Sequence, residues 1–162
     1  MASTPPVNWA RVVREAIVAG ITGGIIIEIY LYLTTILPAH GSVLASWQWI
    51  AQAAMGKVAL SGTSYAYLGL LIHFIVSIGW AGGYAYFSQT QPFVDQRWVV
   101  SGLVYGVIVY FFMQLLLIGA RAWVEPATPL DALSALVAHA LFFGVPVAYV
   151  VARMNAAAME AR

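Results

Sequence analysis

The chain contains no cysteine, which excludes disulfides, thiolate chemistry, Cys-ligated zinc and iron–sulfur clusters. Charge is also scarce, because only 8% of the 162 residues are Asp, Glu, Lys or Arg, against about 25% in soluble domains. The formal net charge is +1 and the sequence has no basic cluster, so nucleic acid is not an expected partner. The G-x-S-x-G, P-loop and dinucleotide-binding motifs are missing as well, and we predict no catalytic residue.

Apolar residues are abundant instead. They make up 62% of the chain, against about 45–50% in soluble domains, and the mean hydropathy is +0.86. A helix needs about 20 apolar residues to cross a bilayer. Four runs reach that length: 15–37, 65–87, 98–120 and 131–152. The sequence therefore predicts an all-α integral membrane protein, a four-helix bundle with the lipid bilayer around it.

The first predicted outer loop, residues 38–64, is long for a helical hairpin and is expected to have structure of its own. Its segment SWQWIAQAAMGK places Trp49, Ile50 and Ala53 on one side of a helix and two glutamines on the other. This pattern is typical of a short interfacial helix lying on the membrane. A helix packed as a lid over the bundle is an alternative interpretation.

The positions of the basic residues predict the orientation. Five arginines lie on the side of the chain termini: Arg11, Arg14, Arg97, Arg153 and Arg162. Only Lys57 and Arg121 lie on the opposite side. By the positive-inside rule, the tails 1–14 and 153–162 are both predicted to be cytoplasmic.

The four spans contain an apparent internal repeat. In span one a G-x3-G pair is followed four residues later by Glu28, and in span three such a pair is followed four residues later by Tyr110. Spans two and four carry His73 and His139, each roughly 12–13 Å below the outer edge by the helical rise. We therefore predict two copies of a helical hairpin, as in transporters built from parallel repeats.

Small residues at every fourth position let helices approach closely, so these faces should point away from lipid. The predicted helix-packing residues are Gly20, Gly24, Gly69, Gly102 and Gly106. The same faces carry polar groups, which are costly in a bilayer and should lie inside the bundle. The predicted polar centre consists of Glu28, Ser77, Tyr110 and Gln114 together with the two histidines.

The second half of the chain carries the pattern H-x3-S-I-x4-G-Y, formed by His73, Ser77, Ile78, Gly83 and Tyr84. It is followed by a Gly-rich third helix and by a histidine in the last helix. This half resembles the YagU-like family of small bacterial inner-membrane proteins. That family has no established reaction, so the resemblance implies a topology and an inner-membrane location, and it draws attention to the two histidines.

Three interpretations of the polar centre remain open alongside a structural one. His73 and His139 could ligate a b-type haem whose propionates reach Arg121. Glu28 and the histidines could serve a proton-linked carrier or channel, which would need an oligomer. Two histidines and one carboxylate could hold a metal ion. In the structural interpretation these groups hydrogen-bond across the bundle. The protein is then an accessory or scaffold subunit, partnered by larger membrane proteins or by copies of itself, and we favour this interpretation.

Overall fold

The computed structural model describes residues 6–122 and 128–160, and this part of the chain is helical with no strand. Four helices are long and apolar enough to cross a membrane. The described residues form the helices α1 (Trp9–Ile36), α2 (Val43–Met55), α3 (Ser64–Thr90), α4 (Pro92–Gln96), α5 (Trp98–Gly119) and α6 (Pro129–Glu160). A short 3-10 helix, Gly56–Ser61, follows α2. The predicted class, an all-α protein with four apolar helices, is therefore confirmed.

The helices are longer than the predicted spans at the end of the bundle that carries the termini, which we call the terminal side. α1 begins at Trp9 rather than near residue 15, and α6 continues to Glu160 rather than ending near residue 152. The start of α1 is capped by Asn8, whose side-chain oxygen accepts from the Arg11 N–H at 3.1 Å. Much of both predicted tails is thus helical. Residues 6–8 precede the helix without regular structure, and residues 1–5 and 161–162, including Arg162, lie outside the described residues.

Two of the long helices contain π-helical turns, and each π segment is followed closely by a proline. Tyr32–Ile36 ends α1 just before Pro38, and Ala138–Gly144 lies within α6 just before Pro146. A proline has no N–H, and its ring clashes with the carbonyl four residues earlier, so a widened turn relieves the strain. Turns of this kind are frequent at functional sites.

The helices pack in a definite order. α1 lies between α3 and α6, α6 also packs against α5, and α2 packs on α3. Glycine sets the closest approaches. A Cβ atom on Gly20 would lie 2.5 Å from the Ile78 Cα of α3, and one on Gly106 would lie 2.2 Å from the His139 oxygen of α6. Both contacts are too close for any side chain, which explains why these positions are glycine.

The other predicted packing glycines also lie at helix contacts. Gly24 faces Phe74 of α3, and Gly102 faces Gly144 of α6. Gly69 differs, because a Cβ there would lie 1.8 Å from the Trp47 backbone oxygen of α2. It therefore packs against the loop helix and not against a second spanning helix.

The surface of the bundle is apolar on all four long helices. Leu71 of α3 is 56% exposed and Leu115 of α5 is 63% exposed, and many other large apolar side chains share this outward position. Helices that are hydrophobic on their outer faces as well as their inner ones are typical of membrane spans. Between α3 and α5 the contact is aromatic, since the Tyr105 hydroxyl donates to the Trp80 oxygen and the Tyr105 ring meets Tyr84 at 5.2 Å.

Candidate functional site

Glu28 of α1 and His73 of α3 meet at the heart of the candidate site. Glu28 Oε1 lies 3.5 Å from His73 Nδ1, and the two side chains are 19% and 14% exposed. The other ring nitrogen of His73, Nε2, lies 3.2 Å from the Gly24 carbonyl oxygen. Both nitrogens of His73 thus face oxygen acceptors. A neutral imidazole can donate to only one of them, whereas the protonated ring donates to both.

Trp47 of α2 completes this contact. Its indole Nε1 donates to Glu28 Oε2 at 3.2 Å, so both carboxylate oxygens face a nitrogen. α2 is held in place where Trp47 packs on Gly69 of α3, and Ala51 is fully buried in the same contact. The polar centre is therefore covered by a helix that lies between the first two spanning helices in the sequence.

The structure also shows which side of α2 faces the bundle. Trp49, which the sequence pattern placed with Ile50 and Ala53 on the apolar side, is 37% exposed, and contact of this side with the membrane stays a prediction. The residues that face the bundle are Trp47 and Ala51, one helical turn apart. These two residues face the bundle because Gly69 of α3 has no side chain and lets the α2 backbone approach at this point. The spacing of apolar residues within α2 cannot reveal a glycine on another helix.

His139 lies on the other side of the centre, within the π segment of α6. Its Nδ1 donates to the Ala135 carbonyl oxygen at 2.8 Å. The Tyr110 ring of α5 packs edge-on against the imidazole, with the centroids 5.5 Å apart. His139 is also within electrostatic reach of His73. The two histidines therefore lie in one region of the bundle. His73 is paired with Glu28, and His139 is in contact with Tyr110.

The remaining predicted site residues are distributed around this region. Ser77 is buried beside Gly24 on the α1–α3 contact. Gln114 is half-buried on α5. Arg121 is exposed just beyond the end of α5 in a left-handed conformation, with φ of 55°. Within residues 6–122 and 128–160, no hydrogen bond or ion pair joins Arg121 to either histidine.

The residues fit a bis-histidine haem only in part. A haem-ligating histidine commonly donates Nδ1–H to a carbonyl and ligates iron through Nε2, and His139 has this arrangement. His73 does not, because its Nε2 faces the Gly24 oxygen. Gly24 is also packed against Phe74, where even an added methyl carbon would lie 3.1 Å from the ring. A porphyrin between α1 and α3 would require both contacts to open.

A metal site of two histidines and one carboxylate is not formed. In the described part of the chain, no three His, Asp or Glu side chains are close enough to share a metal ion. The physical reason is that His73 is turned toward Glu28, whereas His139 is bonded to its own helix. Metal ligation by His73 and His139 therefore stays a prediction, with no third ligand beside them in the described residues.

A second polar cluster, which the sequence analysis missed, lies on the terminal side. It comprises Arg11, Glu15, Ser88, Asp95 and Asn155, from four different helices. The spacing of Arg11 and Glu15, one helical turn apart, is a signal that could have indicated part of it. Asp95 and Asn155 carry no such local signal, because they join the cluster only through the tertiary fold.

The fold and the two polar clusters define an all-helical protein of the multi-pass membrane class. Comparison of the chain with protein-family models, with curated proteins and with solved structures found no match. The resemblance to the YagU-like family therefore stays a prediction.

Proposed function

We propose that the chain is a non-catalytic protein of the bacterial inner membrane that acts as an accessory or scaffold subunit of a larger membrane complex. The observation that carries this proposal is the internal pairing of the polar centre. Both oxygens of Glu28 and both ring nitrogens of His73 face groups of the same chain. Such pairing stabilises a helical bundle and leaves its outer faces for contacts with lipid and partner subunits.

In this proposal the terminal side faces the cytoplasm, in keeping with the arginines that lie there. α2 then lies at the outer surface of the membrane as a lid. The two hairpins are copies of one unit. Gly24 of α1 approaches His73 of α3, and Gly106 of α5 approaches His139 of α6. A glycine meeting a histidine at corresponding points of both hairpins supports this duplication.

Co-purification tests the proposal. The tagged chain, expressed at its natural level, is extracted in mild detergent and separated by size. We expect it to migrate with other membrane proteins as one larger particle. Polar substitutions on exposed faces, Leu71→Asn on α3 and Leu115→Asn on α5, show which face contacts the partner subunits. We expect at least one of them to release the chain from the larger particle. Recovery of the chain only as a free monomer would overturn the proposal.

A proton-linked carrier is the second candidate, and one observation favours it. His73 lies between two oxygen acceptors, beside Glu28 and within electrostatic reach of His139, so a proton has several neighbouring sites. Proton flux into dye-loaded liposomes under a potassium diffusion potential is the direct test. A carrier predicts flux that disappears in Glu28→Gln and persists in Thr34→Val, a control whose hydroxyl bonds only its own helix. The accessory-subunit proposal predicts no flux in any of the three proteins.

A further inference from the structure

The polar cluster on the terminal side links four helices through one hydrogen-bonded network. Arg11 of α1 donates through Nε to Glu15 Oε1 at 2.7 Å. Its Nη2 donates to the Asn155 side-chain oxygen of α6. The Asn155 amide donates to the Ser88 hydroxyl of α3 and to Asp95 of α4. Ser88 also donates to Asp95, at 2.8 Å. The network therefore ties the short helix α4 to the bundle.

Glu15 is the exceptional member of this network. Its side chain is 0% exposed, and it is among the largest fully buried side chains of the described residues. Oε1 accepts from Arg11, but within residues 6–122 and 128–160 no donor reaches Oε2 with hydrogen-bond geometry. Gln89 approaches the carboxyl, yet its amide groups bond the backbone of Asn8. A buried carboxylate oxygen without a donor has lost its hydrogen bonds to water and gained none in return, which disfavours the charged form.

The charges of the network do not balance. Among its described members are two carboxyl groups, Glu15 and Asp95, and one guanidinium, that of Arg11. Asp95 is within electrostatic reach of Glu15, and Asp95 already accepts from two donors. The network thus has one negative charge in excess, and the unpaired acceptor is Glu15 Oε2. A single positive charge at Oε2 would neutralise this excess.

We propose that Glu15 is a proton-binding site, in which Oε2 holds one proton while Asp95 stays ionised. The proton comes from water at the terminal side and forms one O–H bond, which takes the network from a net charge of −1 to zero. A proton requires only one oxygen, whereas Na⁺ or K⁺ would need several more ligands than the unpaired oxygen provides. The site goes beyond the proposed function, since neither an accessory role nor the Glu28–His73 centre requires it.

The groups that act on Glu15 come from three helices. Arg11 lies on its own helix, Gln89 on α3 and Asp95 on α4, and Ser88 and Asn155 link Arg11 and Asp95 to each other. Arg11 favours the charged form of Glu15, and Asp95 opposes it. Removal of the Asp95 charge should therefore shift Glu15 toward its ionised form, because Arg11 would then balance a single carboxylate.

Infrared spectroscopy of the full chain in lipid vesicles tests this proposal. At neutral pH we expect the carbonyl band of a protonated carboxylic acid, which shifts when glutamate is labelled with carbon-13. The band should vanish in Glu15→Gln, in which the amide has the shape of the protonated acid and preserves the fold. It should weaken in Asp95→Asn and persist at full strength in Glu28→Gln, the matched control on the same helix.

Three results would overturn the proposal. The first is the absence of the band from the unmodified protein. The second is a band that persists in Glu15→Gln, since the proton would then lie elsewhere. The third is a band that appears only after Na⁺ and K⁺ are replaced by a bulky organic cation, because an alkali ion would then be the natural occupant of the site.

Discussion

Glu28 Oε1 lies 3.5 Å from His73 Nδ1, so an acid on α1 faces a base on α3 at the point where α2 closes over both helices. The indole of Trp47 donates to the second oxygen of the same carboxylate. The Glu28 side chain of α1 thus contacts both the spanning helix α3 and the loop helix α2. The stability of that junction and the position of α2 should both depend on Glu28.

The Glu28–His73 contact should have a measurable coupling energy. Interhelical polar pairs in membranes contribute about 0.6 kcal/mol on average and up to about 1.7 kcal/mol. We expect a double-mutant cycle with Glu28→Gln and His73→Gln to give a coupling in this range in the free energy of unfolding in mixed micelles. Glu28→Gln combined with Thr90→Val, a distant and partly exposed position, should be additive. Equal additivity in both cycles would show that the pair does not interact.

α2 should lift from the bundle when Gly69 is enlarged. A Cβ at this position would lie 1.8 Å from the Trp47 oxygen, so Gly69→Leu cannot keep the contact. The chain has no cysteine, which allows Ala51→Cys to serve as the sole thiol at a fully buried site of α2. We expect a water-soluble maleimide to label Ala51→Cys slowly in the parent and at least tenfold faster when Gly69→Leu is added. Equal labelling rates would mean that α2 keeps its position without this notch.

The architecture was predictable from the sequence because its signals lie along the chain. A hydrophobic run longer than the bilayer thickness predicts each spanning helix, and glycines at every fourth residue indicate close packing. Gly20 and Gly106 meet the backbone of a neighbouring helix, as such spacing implies. The helix ends were less predictable, because Asn8 caps α1 well before the apolar run begins.

The details of the polar sites depend on contacts between distant parts of the chain. Trp47 reaches Glu28 only because Gly69 fixes the rotation of α2. Asn155 bonds Asp95 from a segment that composition alone assigns to a tail. No periodicity within one helix encodes such partners, so the pairing of Glu28 with Trp47 and the buried cluster around Glu15 were both missed.

Two glycines on spanning helices should respond oppositely to alanine. In Gly106→Ala the new methyl group would lie 2.2 Å from the His139 oxygen and 2.6 Å from the Ala140 Cα, so α5 and α6 must separate. We expect a loss of about 1–3 kcal/mol in the free energy of unfolding, as in other overpacked sites. Gly79→Ala meets no atom within 4 Å and should be neutral or slightly stabilising, because alanine is the better helix former. Similar effects at both positions would contradict the packing described here.

A spectroscopic test of haem binding distinguishes the contributions of His73 and His139 to ligation. His73 Nε2 faces the Gly24 oxygen, so we expect the purified protein supplied with haem to show no Soret band typical of bis-histidine ligation. Any weak band should depend on His139, whose Nδ1 bond leaves Nε2 as the ligating nitrogen. A strong band that is lost equally in His73→Ala and in His139→Ala would contradict this expectation and establish the haem interpretation.

Asn155 should contribute more to stability than a partly exposed polar residue whose side chain bonds only its own helix. It accepts from Arg11 and donates to both Ser88 and Asp95, so Asn155→Ala leaves a guanidinium and a carboxylate short of partners in a buried network. We expect a loss of about 1–3 kcal/mol in the free energy of unfolding, the usual cost of buried groups left unsatisfied. Thr90→Val is the control, because its hydroxyl bonds only carbonyls of its own helix, and it should change stability by less than about 0.5 kcal/mol. If Asn155→Ala reduced stability as little as the control, the network would not be what holds α4 and α6 together. Proteolysis of α4 is the second measurement, and in that case it would be as slow in the variant as in the parent.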